Sequence, residues 1–550
     1  MKFAVLPLFL SLAALSSAAT EERKRAPEAW LPSGGSPNGE EGVVLTFFLR
    51  SDDTQIKAEF LDRSNPRSDN FGKWLSNEQV HSLTAPTAEA VDEVTRYLSS
   101  FGSVTSKTPN SDILTVRTTF AKAEEMLDAK YGTYSHKETG HKIHRSMSYE
   151  IPSEIREHVA LVGPTTRFPK PSQAMKLKSS DDDESLKSYS NSPDNLRALY
   201  SVNDVLGGTA SKNNQAVTAF LGQYYSESDL AKFWEKEFPA GADTPIKLMG
   251  DATTGRAGVE SMLDIEYMPA MGALNPTEFW GFSGASPMDD ADEPFLTWLS
   301  TVSNTTDDEV PLVFSTSYGE DETAEVPSDY ADRINTEFMK CGLRGISLLF
   351  ASGDSGAASD AGTCPGDKFM PMWPAGSPYV TAVGGTTGGS MPESAWSGSS
   401  GGFSDVFAAP DWQADVTAAY AANTDDDMPD SSYFNATGRG FPDIAAQAVQ
   451  YPVVVDGITT SVAGTSCACP CSSGIFGLLN DARLAAGKSS LGFLNQILYS
   501  NPDALNDVTE GVQGGCGRTS GFPAKKGWDA VTGLGSPNYE KLLDVVMALP

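Results

Sequence analysis

Histidine is scarce and unevenly placed. The 550 residues contain five, His81, His136, His141, His144 and His158, and none follows residue 158. If the N-terminal part is removed on maturation, the remaining protein has no histidine. A Ser-His-Asp triad and a His-ligated zinc site are then both excluded. Long apolar runs are missing as well: beyond residue 20 no stretch is long and apolar enough to span a bilayer. Basic residues become few in the C-terminal part. Residues 191–550 hold 17 Lys and Arg against 46 Asp and Glu, whereas residues 20–190 hold 22 and 26. A formal net charge of −32 argues against nucleic acid or anionic membranes as partners. It suits a protein that works in acid, where many carboxylates are neutral.

What is present begins with MKFAVLPLFLSLAALSSAAT. A positive start, an apolar stretch over 3–15 and small residues near Ser17 and Ala19 read as a secretory signal peptide over residues 1–19. The expected product is a secreted, extracellular, soluble protein. The sequons at Asn304 and Asn435 agree with that compartment. Residues 20–165 read as a small α+β unit, with strands over 43–49 and 113–117 and helices over 88–100 and 119–129. Residues 166–193 are rich in Ser, Asp and Lys and read as an exposed, cleavable linker. From residue 194 to 550 the pattern changes. Continuous apolar runs at 215–224, 310–319, 345–356, 378–386 and 451–457 alternate with helical stretches. That pattern predicts a parallel sheet covered by helices on both faces. Ligands bind such sheets at the carboxyl ends of the strands, which here carry Ser317, Asp354 and Gly384-Gly385.

Three segments carry candidate chemistry. In GVESMLDIEYM (258–268), Glu260 and Asp264 stand one helical turn apart on one face. Such a pair can share a proton and serve as acid and base. On spacing alone, two solvated acids are the commoner case; the flanking Met262, Leu263, Ile265 and Tyr267 point to burial instead. In FASGDSGA (350–357), Asp354 follows a buried-type strand, a place that a simple turn aspartate can also fill. In SVAGTSCACP (461–470), Ser466 precedes a helical run, where it is either a nucleophile beside a helix N-terminus or a plain N-cap.

Together these segments resemble the sedolisin family, the serine-carboxyl peptidases. The family's marks stand here in order as Glu260-Ser-Met-Leu-Asp264, Ala351-Ser-Gly-Asp354-Ser-Gly356 and Gly464-Thr-Ser466. The stretches at 315–319, 377–386, 399–407, 438–446 and 527–537 match too, and 71–80 and 161–168 look like the family's prodomain. The group resembled most is that of secreted fungal tripeptidyl peptidases and their endopeptidase relatives. The resemblance implies a subtilisin-like α/β catalytic domain behind an activation prodomain that inhibits it, acting on proteins and peptides as a monomer. It implies Ser466 as nucleophile, Glu260 as general base and acid in place of histidine, Asp264 as its proton-sharing partner, and Asp354 as a protonated oxyanion donor. It further implies one Ca²⁺ per subunit, held by the carboxylates of Asp507 and Asp529 and the carbonyls of Val508, Lys525 and Gly527. Lys525 stands where the family usually has glycine, Glu266 where it often has Gln, and Asn195 where relatives often have Cys. The choice between tripeptide-releasing exopeptidase and endopeptidase stays open. A non-catalytic binding protein with a decayed site is a further alternative, disfavoured because all four catalytic side chains are present.

The sequence holds six cysteines, three of them Cys467, Cys469 and Cys471. On a helix Cys467 and Cys471 share a face and Cys469 does not, and no histidine is near to complete a zinc site. No basic neighbour is evident to activate a thiol. Small packing residues are the preferred reading. The resemblance implies a Cys364–Cys516 bridge. Cys341 is left as an odd thiol or a partner for the 467–471 group.

Overall fold

The computed structural model describes residues 20–22, 26, 30–137, 140, 142–168, 178–179, 189–210, 212–282, 295–322, 326, 328–360, 362–425 and 427–550. The expected signal peptide, His141 and most of the expected linker lie outside the described residues.

The N-terminal unit is an antiparallel sheet backed by helices. It runs β1 (Gly42–Leu49), α1 (Asp53–Ser64), α2 (Asn77–Thr84), α3 (Ala88–Ser99), β2 (Ser103–Ser106), β3 (Ile113–Thr119), α4 (Phe120–Leu127) and β4 (Val159–Gly163), with strand order β2-β3-β1-β4. The sequence explains its two faces. Along β1, Leu45, Phe47 and Leu49 alternate inward onto Val94, Leu98 and Leu127, as the two-residue period of a strand requires. Phe48, with Ile113 and Leu161, packs instead into the core of the C-terminal domain. The N-terminal unit is therefore docked through its own sheet.

That domain is built on eight strands. A short β5 (Lys178–Ser179) from the linker precedes it. Then come β6 (Gln215–Ala219), α5 (Glu227–Glu237), β7 (Ile246–Gly250), α6 (Val259–Met271), β8 (Thr277–Gly281), α7 (Phe295–Asn304), β9 (Val313–Thr316), β10 (Glu320–Asp321), α8 (Ser328–Leu343) and β11 (Ser347–Ala351). They are followed by β12 (Met372–Trp373), β13 (Thr381–Thr387), β14 (Ser394–Ala395), β15 (Ile444–Gln447), β16 (Tyr451–Val455), β17 (Ile458–Ala463) and α9 (Thr465–Ala485). The sheet order is β7-β8-β6-β9-β11-β13, with β15 parallel and β14 antiparallel to β13. All pairs except β13–β14 are parallel.

Both faces of this sheet are buried, which is why its strands read as unbroken apolar runs. In β11, Leu349 and Ala351 join the core that contains α6 and α9, while Leu348 and Phe350 join the core that contains α7 and α8. The subtilisin-like sheet with helices on both faces is thus as expected. The N-terminal unit sits on the α7–α8 side, and α9 lies on the other.

Ionic contacts seal the docking surface. Asp112 is buried between Arg333 (3.1 Å) and the ammonium of Lys340, and Glu337 holds the same two cations at 2.6 and 2.8 Å. Lys340 and Arg333 hold the Asp112 carboxyl below its ordinary range despite burial, so mild acid leaves this contact charged. His81 on α2 behaves differently. Its Nε2 lies 3.0 Å from Ser303 Oγ on α7. Burial lowers its pKa first, followed by Lys340 and Arg344, against the opposing pull of Asp112 and Glu337. The folded chain therefore favours neutral imidazole, and stability is lost as pH falls below the unfolded value of about 6.5. Replacing His81 with Gln is expected to flatten the fall in thermal stability of the full-length chain between pH 7 and pH 4. An unchanged slope in a pH series of melting curves would remove His81 from the account.

Candidate active site

Helix α6 presents its carboxylates to helix α9. Apolar residues fall on every side of α6, so it is buried from Glu260 to Met271, and Glu260 and Asp264 are carried inside with it. The backbone N–H of Glu260 donates to Gln223 Oε1 (3.2 Å), and Ser317, just past the end of β9, donates its hydroxyl to Asp264 Oδ1 (2.9 Å). Ser466 is the second residue of α9 and is fully buried. Asp354 follows β11 after Gly353, whose φ of +110° and close neighbour Ser400 exclude a side chain. Asp354 Oδ1 accepts from the Thr465 N–H (2.7 Å) and the Thr465 hydroxyl (2.9 Å). Thr465 therefore fixes Asp354 beside the residue that follows it, Ser466.

The electrostatics follow from burial. The Glu260 pKa is pushed well above the carboxylate range by loss of water, then by the adjoining Asp264 carboxylate. The Ser466 hydroxyl pulls it down, Asp354 raises it, and Ser317 lowers it. Burial likewise raises Asp264, with Ser317 opposing. Two buried acids one turn apart cannot both ionise cheaply, so the pair retains a proton. Both Glu260 oxygens and Ser466 Oγ lie buried without a fully formed hydrogen bond, as in a resting site that tightens when substrate arrives. The structure thus brings together Ser466, Glu260, Asp264 and Asp354 from three separate stretches of chain.

The cysteines of α9 are neutral packing groups. Burial pushes the Cys467 thiol well above its ordinary value, and Asp354, Glu260 and Asp264 add to the shift. Cys469 accepts from Ser315 Oγ at 3.4 Å and Cys471 adjoins Tyr451; both thiols are pushed up to about 12 by burial. Cys364 and Cys516 are bridged. Cys341 is a free, buried thiol in the α7–α8 core. The sheet separates it from Cys467, Cys469 and Cys471, which rules out a bridge between them.

The two expected calcium loops interlock. Gly527 N–H donates to both oxygens of Asp507 (3.2 and 3.1 Å). Asp529 is fully buried and accepts from Val531 N–H (2.9 Å), Thr532 N–H (2.8 Å) and Lys525 N–H (3.2 Å). Burial raises its pKa to about 7. Val508 is buried between these loops' ends, and the Lys525 ammonium is engaged elsewhere by Asp425 (3.2 Å) and Asp427 (2.8 Å). Asp507 and Asp529 supply hard carboxylate oxygens to these loops, and the Lys525 side chain is turned to other acids. The residues fit Ca²⁺.

Comparison with known proteins places this geometry. Residues 31–168 match the Pro-kumamolisin activation domain, and residues 297–497 match the subtilase family. The chain is 37% identical to mouse tripeptidyl-peptidase 1, covering 96% of this chain and 95% of the relative, and 36% identical to the human protein with the same coverage. It is 31% identical to the probable tripeptidyl-peptidase SED4 of Trichophyton verrucosum, over 96% of this chain and 94% of that one. The solved structure of Pseudomonas sedolisin, a serine-carboxyl proteinase, shares the fold with a TM-score of 0.54 at 22% identity, covering 65% of this chain and 98% of that one. Fold and relatives together define a serine-type peptidase that carries its own activation domain. The chain belongs to the sedolisin family.

Residue Glu266 departs from the family's frequent Gln, and the structure gives the reason it is tolerated. Both of its oxygens accept from Val454 N–H (3.2 and 3.1 Å) in a fully buried setting, and burial pushes its pKa well up. Protonated, it is a near-isostere of Gln. A raised folded pKa contributes stability that is present below the unfolded value of about 4.3 and lost as pH rises. Glu266→Gln is therefore expected to raise the melting temperature at pH 7 by several degrees and to change it little at pH 4. Equal shifts at the two pH values would refute the protonated state.

Proposed function

We propose that this protein is an acid-acting serine-carboxyl peptidase, made as a proenzyme and secreted, that releases tripeptides from free N-termini. The single observation that carries this reading is the buried Glu260–Asp264 pair, held in its protonated range directly beside Ser466. Ser466 Oγ attacks the scissile carbonyl. Glu260 takes its proton and later returns one to the leaving amine, and Asp264, fixed by Ser317, shares that proton. Asp354 donates to the developing oxyanion. With Oδ1 accepting from Thr465, the donating proton belongs on Oδ2, and only the neutral acid can carry it. Every step needs at least one protonated carboxyl, which supports acidic working conditions. The names of the relatives support the tripeptidyl specificity; an endopeptidase with the same chemistry is the second reading.

The linker supports autoprocessing. Strand β5 pairs antiparallel with β17, Lys178 opposite Ala463 and Ser179 opposite Val462. This sets linker backbone a few residues from Ser466, as a substrate strand would lie. Ser466→Ala is expected to abolish both turnover and linker cleavage at acid pH while leaving the fold intact. Mass spectrometry of products from one long peptide decides specificity: successive N-terminal tripeptides are expected, and internal cuts would establish the endopeptidase instead. Activity that persists in the Ser466 variant would sink the mechanism.

Ca²⁺ at Asp507, Asp529 and the carbonyls of Val508, Lys525 and Gly527 would tie the two loops together, a structural role remote from the proton transfers. Chelation is expected to lower the melting temperature and added Ca²⁺ to restore it, with Asp529→Asn insensitive to both. A wild-type melting curve indifferent to chelator would discard the site.

A further inference from the structure

One ionic contact across the docking surface leaves the enzyme side unbalanced. Arg167, from the C-terminal end of the activation domain, places its guanidinium 2.7 Å from both oxygens of Glu320 in β10, with side chains 1% and 2% exposed. The same guanidinium lies over the ring of Tyr330, 4.2 Å from its centre. Among the described residues Glu320 pairs with no other cation. The Asp112 contact is built the opposite way: when Asp112 leaves, Arg333 and Lys340 keep Glu337. When Arg167 leaves, Glu320 keeps nothing, and a buried carboxylate without a counter-charge is costly.

Its position ties that carboxylate to the catalytic cluster by two routes. Glu320 follows Ser317, the partner of Asp264, by three residues, at most about 11 Å of chain. The next residue, Asp321, accepts from Asp360 N–H (3.0 Å), six residues beyond Asp354. An extended tripeptide measures about 10 Å, a similar reach.

Resting on the reading of the chain as a peptidase zymogen, we propose that Glu320, together with the Tyr330 ring, binds a cationic group of the substrate on the N-terminal side of the scissile bond, and that Arg167 occupies this receptor until activation. A carboxylate and an aromatic face that meet the same cation suit an ammonium or guanidinium. The cation is supplied either by the substrate's free α-amine or by a basic side chain.

Two measurements test this. In the full-length chain, Arg167→Ala empties the receptor. Added argininamide is expected to raise the melting temperature of this variant in a concentration-dependent way, and not that of wild type or of Arg167→Ala/Glu320→Gln. No shift beyond wild type overturns the receptor. In the acid-processed enzyme, peptide substrates are compared with free or acetylated N-termini, and with Arg or Ala at the residue farthest from the cut. Wild type is expected to show a KM at least tenfold lower for one cationic series, and Glu320→Gln to lose that advantage with kcat kept. Preference for the free amine identifies the α-ammonium, and preference for Arg identifies the side chain. Equal KM values across the wild-type series overturn the specificity role. If no peptide is turned over by wild type, the peptidase reading fails, while the argininamide shift still decides the receptor.

Discussion

The structure depends on keeping two carboxylates, Glu260 and Asp264, away from water. Helix α6 is buried from Glu260 to Met271, packed against α9, β6 and β16, so these acids are shut off from solvent. Their charge would be expensive there, and they keep a proton where an exposed acid would not. In the proposed mechanism that proton does the work of an imidazole, which the sequence lacks beyond residue 158. A base with a raised pKa can accept the Ser466 proton, and a neighbour can hold the surplus. Ser317 and Thr465 finish the arrangement, one holding Asp264 and the other seating Asp354.

The activation domain answers a different constraint. A sheet with one face packed on its own helices must cover the other, and α7 and α8 of the enzyme provide the cover. The contact is sealed by charges that respond differently to acid. Asp112 stays ionised because two cations face it, whereas His81 resists charging because burial, then Lys340 and Arg344, outweigh Asp112 and Glu337. Acid therefore acts on the imidazole while the carboxylate contact persists. The chain between the two domains holds Arg167 at the docking surface and Lys178–Ser179 beside β17, a few residues before Ser466.

The α9 cysteines illustrate how packing overrides reactivity. Each thiol is buried, and those near the catalytic acids are made still harder to ionise. The same low dielectric that holds the Glu260 proton keeps Cys467, its neighbour in space, inert.

Much was legible before the structure. The unbroken apolar runs declared a doubly covered parallel sheet because both faces of β11 are buried. The spacing of Glu260 and Asp264 placed them on one helical face, and the lack of histidine beyond residue 158 excluded a histidine base for a chain that loses its N-terminal part. Only the family resemblance grouped Ser466, Glu260, Asp264 and Asp354; local spacing could not join them, since residues up to some two hundred apart meet only through strand order. It also could not see Ser317, Thr465, Glu320 or Arg167 in their roles, because a hydroxyl or an ion pair carries no periodic signal. Local spacing and composition decided the kinds of groups available. Only the tertiary fold decided which of them lost their water, and with it which carboxyls hold a proton, because desolvation is set by what packs around a residue and not by its neighbours in the chain.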